Sequence, residues 1–159
     1  MATPSAPGID ASALRFERIQ KHHLPAVLPI EHEAYPDPWT QGMFHQEIQN
    51  AASHFYLAFL DDTLVAYGGF WMILEEVHIT RLTVAPEYRM QGLGRHLMDY
   101  LEARGAAAGG RIIRLEVRES NAAARALYRG AGYQEAGVRR NYYAATGEDA
   151  IVMVKELAT

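Results

Sequence analysis

Leu14-Arg15-Phe16-Glu17-Arg18-Ile19 alternates apolar and polar residues with the period of two that a half-buried strand requires. Leu24 to Ala34 reads as a short helix, in which Pro25 suits the first turn and Pro29 opposes the turns beyond it. Tyr35-Pro36-Asp37-Pro38-Trp39 holds two prolines in three residues and predicts a loop, after which Thr40 caps a second helix reaching about Asn50. His54 to Leu60 and Leu64 to Met72 predict strands joined by a hairpin turn at Asp61-Asp62. Val77 to Val84 is a further β-branched run.

The rhythm then changes. After Ala85-Pro86-Glu87, Gly92 to Arg104 carries Leu93, Leu97, Tyr100 and Leu101 on one helical stripe, with Gly105 as the expected stop. Ile112 to Val117 predicts a short strand. Ser120 and Asn121 are both able to cap a helix over Ala122–Arg129, which Gly130 and Gly132 end. Tyr133 to Val138 and Ala150 to Leu157 predict two closing strands. The order is that of a mixed α/β domain, antiparallel strands first and β-α-β-α-β later. No repeat or linker interrupts it, so residues 14–159 read as one domain behind a loose tail, residues 1–13.

Composition narrows the chemistry. With 159 residues, 49% hydrophobic and 21% charged, the chain has the balance of a globular domain. It has no cysteine, which excludes disulfides, thiolate metal sites and a cysteine nucleophile. No apolar run is long enough for a membrane span, and the start lacks the pattern of a signal peptide; a soluble cytoplasmic protein is expected. The formal net charge of −4 hides an asymmetry. Residues 1–80 carry 3 basic and 10 acidic groups, net −7, whereas residues 81–159 carry 12 basic and 9 acidic, net +3. An anionic ligand belongs with the second half.

Two constellations carry candidate chemistry. Arg89-Met90-Gln91-Gly92-Leu93-Gly94-Arg95 leaves a strand and opens a helix, where backbone amides, the helix dipole and two arginines suit a phosphate. A glycine opening a helix for steric reasons is the plain alternative. A dinucleotide-binding loop fits poorly, because residues 85–91 separate the strand from the first glycine and a third small residue is missing. The second is Glu116 in Leu115-Glu116-Val117 with Tyr128 twelve residues on: a strand carboxylate able to act as general base, and a phenol able to donate a proton. An exposed strand Glu and a half-buried helix Tyr are the plain readings of that pair. His22, His23, His32 and His45 lack metal-ligand spacing, so no metal is expected. Trp39 and Phe44 read as packing under a loop, with lining of a peptide slot as the lesser alternative, and Arg139-Arg140 as a solvated pair after a strand.

The stretch from about Thr80 to Tyr143 resembles the GNAT acyl-CoA-dependent N-acetyltransferases, and among them the RimI type, which acetylates the N-terminal alanine of a ribosomal protein. The likeness rests on Thr83-Val84-Ala85-Pro86-Glu87-Tyr88-Arg89-Met90-Gln91-Gly92-Leu93-Gly94 and on Leu115-Glu116-Val117-Arg118-Glu119-Ser120-Asn121. Ala126-Leu127-Tyr128, Arg139-Arg140-Asn141-Tyr142-Tyr143 and Pro38-Trp39-Thr40 with Phe44 extend it. It implies a sheet of about seven strands, splayed at an acetyl-CoA site and flanked by about four helices. It implies that Leu82, Thr83 and Val84 line the pantetheine and thioester, and that Arg89, Met90, Gln91, Gly92, Leu93, Gly94 and Arg95 hold the pyrophosphate. Asn121 contacts the cosubstrate in this scheme, Glu116 is the base, Tyr128 the acid, and Tyr142, Glu33 and Tyr35 face the acceptor. Met90 stands where many relatives carry Arg.

Transfer of acetyl to a protein N-terminus, without nucleic acid or membrane as partner, is the function this resemblance implies. The same fold acting on a lysine or a small amine is the nearest rival, and a non-catalytic acyl-CoA sensor a more distant one. Residues 31–45 and 139–148 frame the acceptor in either enzyme. The acidic stretch Glu31–Asp37 is expected to steer a basic ribosomal tail.

Overall fold

The computed structural model describes residues 8–157. One open sheet has the strand order β1-β2-β3-β4-β5-β7-β6. The strands are β1 Leu14–Arg18, β2 Ser53–Leu60, β3 Thr63–Ile73, β4 Glu76–Val84, β5 Ile112–Arg118, β6 Gln134–Tyr143 and β7 Glu148–Glu156. Alternation along β2 sends Tyr56 and Ala58 to one hydrophobic cluster and Phe55, Leu57 and Phe59 to another. The first cluster is covered by α3 (Leu93–Ala107) and α4 (Ala122–Gly130), the second by α1 (Leu24–Ala34) and α2 (Gln41–Gln49). Phe44 is fully buried in the second and meets Trp39 edge-on, as packing residues should.

All neighbouring strands run antiparallel except β4 and β5, and that parallel contact is short. It joins only Glu76–His78 to Ile112–Arg114. Just beyond, Gly69 faces Arg81 while Phe70 faces Ile79, so Thr80 is the extra residue of a bulge in β4. A bulge bends and overtwists its strand. Past this point β4 and β5 diverge, and the β5-facing edge of Ile79–Val84 is left without a strand partner.

Two local expectations are corrected, and the choice of cap for α4 is decided. Helix α3 does not stop at Gly105 but runs through it to Ala107. A side chain at Gly105 would stand 2.8 Å from Val77 Cγ2, so this glycine serves helix–sheet approach, and the positive-φ residue that follows the helix is Gly109. Strand β6 continues to Tyr143, which puts Arg139-Arg140 inside it rather than after it. Asn121, not Ser120, caps α4, its Oδ1 accepting from Ala124 N at 3.1 Å. Of the expected tail, residues 1–7 lie outside the described residues; Ile9 N donates to Gln91 O at 3.0 Å, and Asp10 caps a short turn over Ala11–Ala13. Among the described residues no helix is long and apolar enough to cross a membrane.

Candidate active site

The divergence of β4 from β5 opens a cleft of about 950 Å³ that the loop after α1 borders on one side and α3 and α4 on the other. Leu82, Thr83 and Val84 line it from the unpaired edge of β4.

At its α3 end the geometry suits a phosphate. Gly92 takes φ +81° as the residue before α3, and the first intrahelical bond runs from His96 N to Gly92 O at 3.2 Å. The amides of Leu93, Gly94 and Arg95 precede that bond and belong to the orphan donors of a helix N-terminus. Gly94 also permits helix packing, since a Cβ there would lie 3.3 Å from Leu127 Cδ2. Arg89 and Met90 line the cleft, with Met90 at φ +64° and its side chain in solvent. Arg95 lines it too while pairing with Asp99 at 3.0 Å. Gln91 does not; its carbonyl is taken by Ile9. Asn121 lines the cleft at the start of α4.

Glu116 and Tyr128 both border the same space. The Glu116 side chain is only 5% exposed, and its Oε2 lies 2.7 Å from His78 Nε2. Its Oε1 is buried without a hydrogen bond from the described residues; Arg139 Nε stands 3.7 Å away. Burial pushes the carboxyl pKa up, but the His78 hydrogen bond and charge, then Arg139 and Arg114, outweigh it and hold Glu116 below the ordinary value of 4.5. It stays a carboxylate. Tyr128 is buried near the end of α4; burial, then the neighbouring Tyr35 and Tyr143, push its phenol well above the ordinary range, so it stays protonated. The two groups therefore sit in opposite protonation states, as a base and an acid must.

Tyr35 and Tyr142 line the cleft, whereas Glu33 is exposed on α1 outside the cleft lining. Tyr35 bonds Thr83 Oγ1 through its hydroxyl at 2.7 Å, and its ring carries the Arg81 guanidinium at 3.6 Å. Arg81 in turn pairs with fully buried Glu31, which also accepts from Tyr67 Oη at 2.7 Å and Trp39 N at 2.8 Å. This network ties the loop after α1 to β4. Glu31 therefore has an internal partner set, and the expectation that it helps steer a basic substrate is corrected.

Sequence reasoning missed His78 and Arg81 as parts of this site, and gave Glu31 a steering role in place of its buried pairing with Arg81. The signal for His78 lies in register: it faces Arg114 across the β4–β5 pair, and Glu116 lies two residues further along the same face. Reading that requires knowing that β4 neighbours β5.

Comparison with known proteins agrees with this architecture. The acetyltransferase (GNAT) family model matches residues 24–133. The chain belongs to the GNAT acetyltransferase family. Its GNAT relatives include the [ribosomal protein bS18]-alanine N-acetyltransferase of Escherichia coli K12, 41% identical over 136 residues, covering 82% of this chain and 88% of that one. The crystal structure of the ribosomal-protein-S18-alanine N-acetyltransferase from Escherichia coli superposes with a TM-score of 0.83 at 34% identity, over 92% of this chain and 95% of that one. The PaiA N-acetyltransferase of Thermoplasma acidophilum, solved in complex with coenzyme A, shares the GNAT fold, with a TM-score of 0.77 at 18% identity over 91% and 99% of the two chains.

Proposed function

We propose that this GNAT enzyme moves acetyl from acetyl-CoA to the α-amine of a protein N-terminus, with an N-terminal alanine of a bS18-type ribosomal protein as acceptor, in the cytoplasm. One observation carries the reading: an ionised Glu116 held by His78 and a protonated Tyr128 border a single cleft beside the unpaired edge of β4. The named relatives, which match over most of both chains, support the choice of acceptor.

The orphan amides at the start of α3 bind the pyrophosphate, and Asn121 adds a polar contact from α4. Free amides on the β4 edge stabilise the oxyanion that forms when the amine attacks the thioester carbonyl. An α-amine has a reference pKa of about 7.7–8.0 against roughly 10.4 for lysine, so a modest base frees its lone pair. Glu116 takes the amine proton through water, while His78 keeps it oriented. Tyr128 gives its proton to the departing thiolate. The chain has no cysteine to carry the acyl group, which supports direct transfer in a ternary complex. Tyr35 and Tyr142 border the acceptor path.

The test is a panel of peptides beginning with Ala, Met or Ser, plus an N-terminally blocked peptide with one internal lysine. Acetyl transfer to the Ala peptide, at the highest kcat/KM of the panel, is expected. Release of CoA at background with every N-terminal peptide overturns the reading.

A further inference from the structure

Arg118 ends β5 two residues beyond Glu116 and belongs to no step above. Its guanidinium reaches in two directions. One arm donates to Asp37 Oδ1 at 3.1 Å, in the loop that follows α1. The other donates to Thr146 Oγ1 at 3.0 Å, in the turn between β6 and β7, and Glu148 Oε1 stands 3.8 Å away. The Tyr143 ring lies against the guanidinium at 4.0 Å. Arg118, Asp37, Tyr143 and Tyr142 all border the cleft.

Each anchor is stiff. Asp37 sits between Pro36 and Pro38, whose φ angles are locked, and the same loop is held at its far end by the Trp39 N bond to Glu31. In the turn, Gly147 N donates to Tyr143 O at 2.7 Å, and Glu148 is fastened to Ser120 N at 2.6 Å. A planar fork with five donors suits such a junction, where a lysine serves only one partner at a time. The Arg118 side chain is 18% exposed, so its contacts are shielded in part from solvent.

We propose that Arg118 is a positioning and specificity-determining residue: it clamps the loop after α1 to the β6–β7 turn and so sets the width of the acceptor slot. This rests on the reading that the acceptor enters between these two segments. A clamped slot admits an extended chain end and disfavours a lysine that brings polypeptide on both sides. Removing the clamp widens the slot; it touches neither Glu116 nor the start of α3.

Three variants test it: Arg118→Ala, Arg118→Lys and Asp37→Asn. For Arg118→Ala the peptide KM is expected to rise about tenfold, with kcat and the acetyl-CoA KM within about twofold of the parent. The preference for an N-terminal amine over an internal lysine should fall with it. Arg118→Lys restores part of the peptide KM, and Asp37→Asn raises it about threefold, the scale of a partly exposed ion pair. In the double variant with Arg118→Ala, Asp37→Asn should add almost nothing. Additive effects, or a shift confined to the acetyl-CoA KM, overturn the proposal. If the parent acetylates no peptide, the acceptor assignment fails separately, and hydrogen exchange then decides on the clamp. Amides of residues 35–39 and 144–148 should speed up together in Arg118→Ala; acceleration in one segment alone sinks it.

Discussion

Glu116 is withdrawn from water, which by itself favours a neutral carboxyl, yet His78 at 2.7 Å and the more distant Arg139 reverse the balance. A base that is already ionised contributes no titration near neutral pH. The acid limb of kcat/KM should therefore follow the peptide amine, at about 7.7–8.0, with unit slope below it. Glu116→Gln should lower kcat at least about 100-fold and leave that limb where it is; initial-rate pH profiles of both proteins check this. The same depressed pKa makes a stability contribution that is present above about pH 4.5 and lost as pH falls through the lower folded value. Glu31 tests a different balance. It is fully buried with Arg81, so Glu31→Gln leaves an uncompensated guanidinium and should cost about 3 kcal/mol, read as a lowered urea midpoint at unchanged m. Glu116 and Tyr128 were singled out through the family resemblance, since each residue alone fits a plain structural reading, and both border the cleft. His78 and Arg81 were not legible, because their partners lie 38 and 50 residues away and depend on strand order.

Elements were legible where burial imposes a period, and misjudged where it does not. Helix α1 was read at its observed bounds despite Pro29. Every residue of β6 from Gln134 to Tyr142 is exposed, so no hydrophobic alternation marks its extension past Val138; the ladder with β7 carries it, irregularly, through Asn141 at φ +53°. Gly105 misled for a related reason, since a glycine needed for packing looks like a helix stop. The turn between β3 and β4 offers a measurable consequence. Leu74 there adopts φ +56° with its side chain 93% exposed, a conformation that costs a residue with a Cβ roughly 1–2 kcal/mol and buries nothing in return. Leu74→Gly should raise stability by about 1 kcal/mol and Tm by about 2–4 °C, measured by thermal unfolding. No change in Tm would mean the turn relaxes its left-handed residue at no cost.

Across the whole molecule, the charge asymmetry acquires a spatial meaning different from the one its sequence implied. The acidic half was expected to attract a basic tail through Glu31–Asp37. Two of the three carboxylates in that stretch are committed, Glu31 to Arg81 and Asp37 to Arg118. Glu33 remains exposed and lies outside the cleft lining. The proposed acceptor side thus has little long-range field to offer. The basic half faces the proposed site of a pyrophosphate and a 3′-phosphate, with Arg89 exposed beside the amides that open α3. Screening should therefore discriminate between the two substrates. Raising salt from about 0.05 to 0.5 M shrinks the Debye length from roughly 14 to 4 Å and should raise the acetyl-CoA KM several-fold, while the peptide KM changes by less than about twofold. Acetyl-dephospho-CoA, which lacks the 3′-phosphate, should show a shallower salt slope in the same initial-rate assay. A peptide KM that climbs more steeply than that of acetyl-CoA would place the working field on the acceptor side and overturn this assignment.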